Sequence, residues 1–196
     1  MLIPLDCVVC GSVDALLCGP CFAKLAQAPP LLPPPGADGA RALFTYDEVG
    51  GRVIGALKFA GAHRLVRRLG PALAALAPVG SDAVTWTPAT PANRRRRGYD
   101  QAELLARDLA VRLGVPCRRL LVRGRDQPQT ARDRSGRTVG PRLRCRPPVP
   151  ASVLVIDDVL TTGATLATAA RLLRGAGATT VEVMAVAWTP PPGFDG

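Results

Sequence analysis

The chain has 196 residues, of which 47% are hydrophobic and 20% charged, with a net charge of +10. These are the proportions of a soluble globular protein long enough for one substantial core and a small appendage. No apolar run approaches the roughly 20 residues needed to cross a bilayer, and Asp6 with the early cysteines is unlike a signal peptide, so a cytoplasmic protein without membrane insertion is expected.

The first feature in chain order is a pair of C-x-x-C knuckles, Cys7-Val8-Val9-Cys10 and Cys18-Gly19-Pro20-Cys21. Each puts two thiols on one tight turn, and four thiolates satisfy a tetrahedral structural zinc site; two redox pairs or a vestigial site are the other readings. Residues 1–28 are too few to build a hydrophobic core, so in a zinc-ribbon-like appendage the metal would supply most of the folding energy. Residues 29–40 contain Pro29-Pro30-Leu31-Leu32-Pro33-Pro34-Pro35-Gly36, a stiff connector expected to mark a domain boundary and hold the knuckle at a distance.

The main domain is expected over 41–189. Ala42 to Tyr46 alternates as a strand, and Val53, Ile54, Leu57 and Phe59 are expected on one helix face. A second helix runs from about Arg64 to Ala77, with Pro71 as a kink or restart. His63, the single histidine, has no assigned role. Asp82 to Pro88 reads as the first strand of the nucleotide-binding sheet, with Thr87-Pro88-Ala89-Thr90 as the loop at its carboxyl end. The run Arg94-Arg95-Arg96-Arg97-Gly98 extends that loop, and a helix follows from Tyr99 to Leu113, closed by Gly114.

Charge is concentrated here: between Arg94 and Arg146 there are 16 arginines against five acids, a local excess of +11. Such a cluster suits an anionic ligand, either a diphosphate or a nucleic-acid backbone. Residues 123–146 lack periodicity and are rich in glycine, proline and arginine, as a lid or an irregular insertion would be.

Val153 to Ile156 is a β-branched apolar run that fits a strand buried on both faces of a parallel sheet. Asp157 and Asp158 are expected to leave it at its carboxyl end, where open α/β sheets bind ligands. Thr161-Thr162-Gly163-Ala164-Thr165 then opens a helix carrying Leu166, Ala169, Ala170, Leu172 and Leu173. Free amides at a helix start, joined by hydroxyls, cradle a phosphate. Two carboxylates repel phosphate but accept hydrogen bonds from sugar hydroxyls or hold a divalent metal. A ligand with a phosphate and a vicinal diol fits, which describes a ribose 5-phosphate group. Gly175-Ala176-Gly177 ends the helix, Thr179 to Trp188 returns as a buried strand, and 190–196 is expected to fray. No Walker A lysine motif is present.

The stretch Val155 to Thr165 resembles the phosphoribosyl pyrophosphate (PRPP) signature of type I phosphoribosyltransferases. Together with the cysteine knuckles, Leu57-Lys58-Phe59-Ala60-Gly61, Arg94 to Gly98 and Tyr99-Asp100-Gln101-Ala102-Glu103-Leu104-Leu105-Ala106, it is similar in order to the ComF family. Asp100 stands where that family commonly has asparagine. The resemblance implies a type I phosphoribosyltransferase-like α/β fold, a parallel sheet flanked by helices, with 123–146 as a flexible hood carrying Gln129 and Arg137. Gly140 stands where the family's hood has an asparagine. It implies PRPP bound with Mg2+, its ribose hydroxyls on Asp157 and Asp158, its 5-phosphate on Thr161 to Thr165 and its diphosphate near Arg94, Arg95, Arg96 and Arg97. It also implies transfer to a nitrogen nucleophile, structural Zn2+ on Cys7, Cys10, Cys18 and Cys21, and a link to DNA uptake during competence. A non-catalytic module binding single-stranded DNA and a competence helicase is the alternative.

Overall fold

The computed structural model describes residues 6–13, 15–59, 62–124 and 143–194. Gln129, Arg137 and Gly140 lie outside them, as do Ala60 and Gly61. In chain order the elements are α1 (Gly19–Ala23), β1 (Gly39–Thr45), α2 (Glu48–Phe59), α3 (Ala62–Leu76), β2 (Ala83–Trp86), α4 (Pro91–Arg97), α5 (Gln101–Leu113), β3 (Leu121–Arg123), β4 (Leu143–Cys145), β5 (Ser152–Leu160), α6 (Ala164–Gly175) and β6 (Thr180–Trp188).

Four parallel strands form one sheet in the order β1-β6-β5-β2, and β3 pairs with β4 in a separate antiparallel ribbon. β2 is therefore one edge of the sheet, and β1, earlier in the chain, is the other. β5 and β6 are central, so both faces must be covered, and their residues are apolar almost throughout. Isolated bridges from Gln27 to Phe44 and from Cys117 to Val84 lie alongside the edge strands.

Successive side chains of a strand point to opposite faces, so β5 serves two cores. Leu154 and Ile156 enter a core with Val53, Leu57, Leu65, Leu105 and Leu109, on the side of α2, α3 and α5. Val153 and Val155 enter a second core with Leu166, Ala169, Ala170 and Leu173 of α6. The result is helices on both faces of a parallel sheet. No described helix is long and apolar enough to cross a membrane.

Four expectations need correction. β5 does not stop before the acidic pair: it continues to Leu160 because β6 runs beside it, pairing Val159 with Ala187 and Leu160 with Trp188. The arginine run is not loop but helix α4. Thr90 caps it by accepting a hydrogen bond from Asn93 N, Pro91 opens it, and Gly98 closes it at φ 77°. Phe59 leaves the buried face of α2, since it lies two residues, about 200° of helix, beyond Leu57; it is 60% exposed.

The cysteine knuckle does not stand off behind a stiff spacer. Cys7, Leu17 and Cys21 are buried in the same core as Val53 and Leu57. Arg52 of α2 donates to Val9 O, while Arg68 of α3 donates to Leu17 O and lies over the Phe22 ring. Its own core is too small, so it shares the domain's. The proline-rich stretch runs instead past the other side, where Gly36 O accepts from Arg174 of α6. In the tail, Phe194 meets Trp188 edge-on, with ring centroids 5.0 Å apart.

Candidate functional site

The acidic pair sits where β5 passes its last buried apolar residues. Asp158 is buried, and its Oδ2 accepts from Gln101 Nε2 at 3.0 Å and lies 3.2 Å from Lys58 Nζ. Asp157 accepts from the Asp158 amide at 2.8 Å. Asp157 is half-buried, and desolvation, joined by the adjacent Asp158 carboxylate, pushes its pKa well above the usual carboxylate range against a hydrogen bond from Thr87. The pair is thus asymmetric. One carboxyl has a cation and an amide beside it, and the other is held toward its neutral form.

The cores also show that strand alternation slips by one at this point. Leu154 and Ile156 share a core with Val159, whereas Val155 shares one with Leu160. A regular strand would place 159 with 155.

Beyond β5 the chain turns into α6 through Thr161, Thr162 and Gly163. Gly163 takes φ 74°, which glycine adopts without penalty, and a Cβ there would lie 3.1 Å from Pro34 Cβ. α6 carries no side-chain cap at its start. Ala164 N has only a long 3.4 Å contact, to the Thr162 hydroxyl. Among the described residues no acceptor engages the amides of Thr162, Gly163 or Thr165. Thr161 and Thr162 are exposed. An uncapped helix start with free amides and exposed hydroxyls is suited to an anion.

A groove of about 750 Å³ adjoins this turn, walled by Pro29–Pro34, Trp188, Pro190–Pro192 and Phe194. Thr161, Thr162 and Gly163 of the turn also line it; none of its lining residues is ionisable, and neither aspartate lines it.

Across the sheet's carboxyl end, the β2 loop is anchored by Asp100. Its Oδ2 accepts from Ala89 N at 2.8 Å and its Oδ1 from Ala102 N at 3.2 Å, so one buried carboxylate caps α5 and fixes the loop after Thr87. Burial raises its pKa, against amide hydrogen bonds from Ala89, Glu103 and Ala102. Arg97 donates to Gln101 Oε1 at 2.8 Å, which links α4 to Asp158 through one side chain. Arg94, Arg95 and Arg96 are exposed.

The four knuckle thiols converge. Their sulfurs all lie within 4.8 Å of one another, and Cys10 and Cys18 are 3.7 Å apart. A tetrahedral zinc with bonds of about 2.3 Å has S···S edges of about 3.8 Å, so the donor set fits that ion. Burial pushes the Cys7 thiol up, but amides of Cys18, Cys10 and Val9 outweigh it and lower it to about 6; burial pushes Cys21 up to about 12.

Residues 99–191 match the family model of the phosphoribosyl transferase domain. The fold is of the phosphoribosyltransferase type. No curated protein matches the chain significantly. Among solved structures, the chain is similar to an allosteric regulatory enzyme of purine biosynthesis (27% identity, TM-score 0.47) and to glutamine PRPP amidotransferase from B. subtilis (28%, TM-score 0.45). In both cases 63% of this chain aligns with 26% of the other, so it spans about a quarter of their length. Adenine phosphoribosyltransferase from Leishmania tarentolae is similar at 20% identity and TM-score 0.38, with 61% of this chain and 55% of that one covered.

Of the residues singled out from sequence, the structure brings together Asp157 with Asp158, the five residues of the Thr161–Thr165 turn, and the four cysteines. The arginine run is only partly joined to the pair, through Arg97. Sequence reasoning gave Lys58, Thr87 and Gln101 no role at the site. It also passed over Asp100, for which a signal existed: Asp100-x-x-Glu103 ahead of an apolar helix is a capping pattern.

Proposed function

We propose that this protein binds PRPP and transfers its phosphoribosyl group to a nitrogen nucleophile, releasing pyrophosphate. The observation that carries this reading is the uncapped α6 start, with unengaged amides at Thr162, Gly163 and Thr165, shortly after an acid pair of which Asp158 is buried. In this reading the amides and hydroxyls of Thr161 to Thr165 hold the 5-phosphate. Asp157 and Asp158 hold the two ribose hydroxyls, whose O–H groups donate to carboxylate oxygens.

The carbon–oxygen bond to the diphosphate breaks as the nitrogen attacks the anomeric carbon, through a transition state with oxocarbenium character. Catalysis then consists of positioning and of stabilising the charge on the departing diphosphate, a role for which the positive charge of Arg94 and Arg95 is available. The hard oxygen donors of Asp157 and Asp158 suit Mg2+, which when bound would neutralise part of the diphosphate charge. No nucleophilic side chain is required.

Calorimetry tests the reading. PRPP with Mg2+ should give a micromolar-range heat with the wild-type chain that is lost in Asp157→Asn/Asp158→Asn. No heat from the wild type would rule it out.

The resemblance to ComF further suggests a role in DNA uptake. The exposed guanidinium groups of Arg94, Arg95 and Arg96 favour a second reading as a non-catalytic module that binds single-stranded DNA, with the knuckle for a helicase partner. Salt-dependent retention of single-stranded DNA that survives the double aspartate substitution and disappears after charge removal at Arg94 to Arg97 would support it.

A further inference from the structure

An exposed aromatic ring next to a buried polar network is unusual in a chain with so few aromatics, and Phe59 is one. It ends α2 at 60% exposure. Two guanidinium groups lie against it: Arg96 Cζ is 5.1 Å and Arg97 Cζ 5.4 Å from the ring centroid. Neither arginine has a carboxylate partner among the described residues. Among the described residues Arg96 reaches only Asn93 Oδ1, at 3.4 Å, and Arg97 only Gln101 Oε1. Arg97 Nε is buried with no acceptor at all among the described residues. Among the described residues, two unneutralised cations and an orphaned donor therefore meet at one aromatic face.

Contact with the ring, rather than helical phase, sets these two arginines apart: among the described residues only Arg96 and Arg97 of the α4 run lie over Phe59. Arg96 and Arg97 turn toward Phe59.

The network also joins this face to the acid pair. Phe59 follows Lys58, whose ammonium meets Asp158; Asp158 accepts from Gln101; Gln101 accepts from Arg97; and Arg97 lies on Phe59. The ring thus closes a circuit with the residue that, in the proposed reaction, holds the ribose.

We propose that Phe59, Arg96 and Arg97 form the platform for the phosphoribosyl acceptor, and that the acceptor is a planar heteroaromatic ring bearing a negative charge. This rests on the phosphoribosyl-transfer reading above. The ring stacks on Phe59 or slides between it and a guanidinium plane, and its anionic group takes the unpaired donors of Arg96 and Arg97. A neutral base leaves those donors unpaired and is disfavoured. A nucleic-acid strand fits less well, because strand binders stack successive bases on several aromatic side chains and this network holds a single exposed ring.

The test uses two probes that differ by one carboxylate: orotate, a pyrimidine carboxylate, and uracil, the same ring without it. Saturation-transfer NMR on the full zinc-loaded chain should show saturation passing to the ring proton of orotate, with affinity for uracil weaker by about ten-fold or more. Phe59→Ala and Arg96→Ala should each weaken orotate about ten-fold at unchanged melting temperature, and Phe59→Trp should restore it. Equal binding of the two probes, or orotate binding that survives Phe59→Ala, overturns the proposal. So does retention of an oligothymidylate that depends on Phe59 while orotate does not. PRPP titration of the wild type separates the two readings: Phe59-dependent orotate binding without PRPP heat keeps the ring platform and removes the transfer reaction.

Discussion

Two limbs converge on the acid pair, and they are built in opposite ways. The β5–α6 limb takes its groups from one continuous stretch, Asp157 to Thr165, and relies on backbone amides at an uncapped helix start. The limb facing it assembles Lys58, Arg97, Gln101 and Phe59 from α2, α4 and α5, and works through side chains. A contiguous turn keeps its geometry as long as one strand and one helix keep theirs. An assembled limb depends on every packing contact that holds its helices in place, including the cysteine knuckle beneath α2 and α3.

The strongest challenge to this contrast is removal of the metal expected on the four cysteines. Chelation, or Cys21→Ser, should lower the melting temperature by on the order of 10 °C. Hydrogen exchange should show lost protection in α1, α2 and α3 while β5 and α6 keep theirs. Equal loss in both limbs would erase the distinction.

Within the contiguous limb, Gly163→Ala forces a Cβ into a left-handed backbone and against Pro34, costing about 1–2 kcal/mol and roughly ten-fold in PRPP affinity, read by denaturant titration and calorimetry. In the assembled limb, Gln101→Leu removes the amide on Asp158 and the acceptor for Arg97. It should cost about 1–2 kcal/mol, with an affinity loss of only a few-fold because the loop amides are untouched.

The smallest effect is one of pH. The folded state raises the pKa of Asp157, so the stability linked to this group is fully present below the ordinary aspartate value and is lost as pH rises through the folded one. Between about pH 4 and neutrality the wild type should therefore lose stability relative to Asp157→Asn. At neutral pH the variant should melt a few degrees higher, at about 2–4 °C for each kcal/mol, while binding PRPP worse. Parallel melting curves across that range would show that Asp157 carries no such penalty.

The contiguous limb was readable because its signals are local. A β-branched run, an acidic pair, a Thr-Thr-Gly turn and a helical period follow each other without interruption, and the same holds for each C-x-x-C turn. Strand length was harder to read, since β5 is extended by its pairing with β6 and by nothing in its own residues. The helix over Arg94 to Arg97 could have been seen from Thr90-Pro91 and Gly98, but four adjacent arginines drew attention to charge instead. Phe59 was misplaced because a helix face was counted by hydrophobicity without regard to its angle.

Residue order alone thus settled the strand–turn–helix unit, the convergence of thiols within each knuckle and the concentration of positive charge, because short-range backbone preferences and spacing determine all three. Only the tertiary structure decided that Asp158 has Lys58 and Gln101 as partners, that the knuckle shares the main core, and that Arg96 and Arg97 turn onto Phe59. Gln101 and Asp158 are 57 residues apart. No local preference specifies a contact over that distance; it follows from how the helices on one face of the sheet bury their apolar sides against β5.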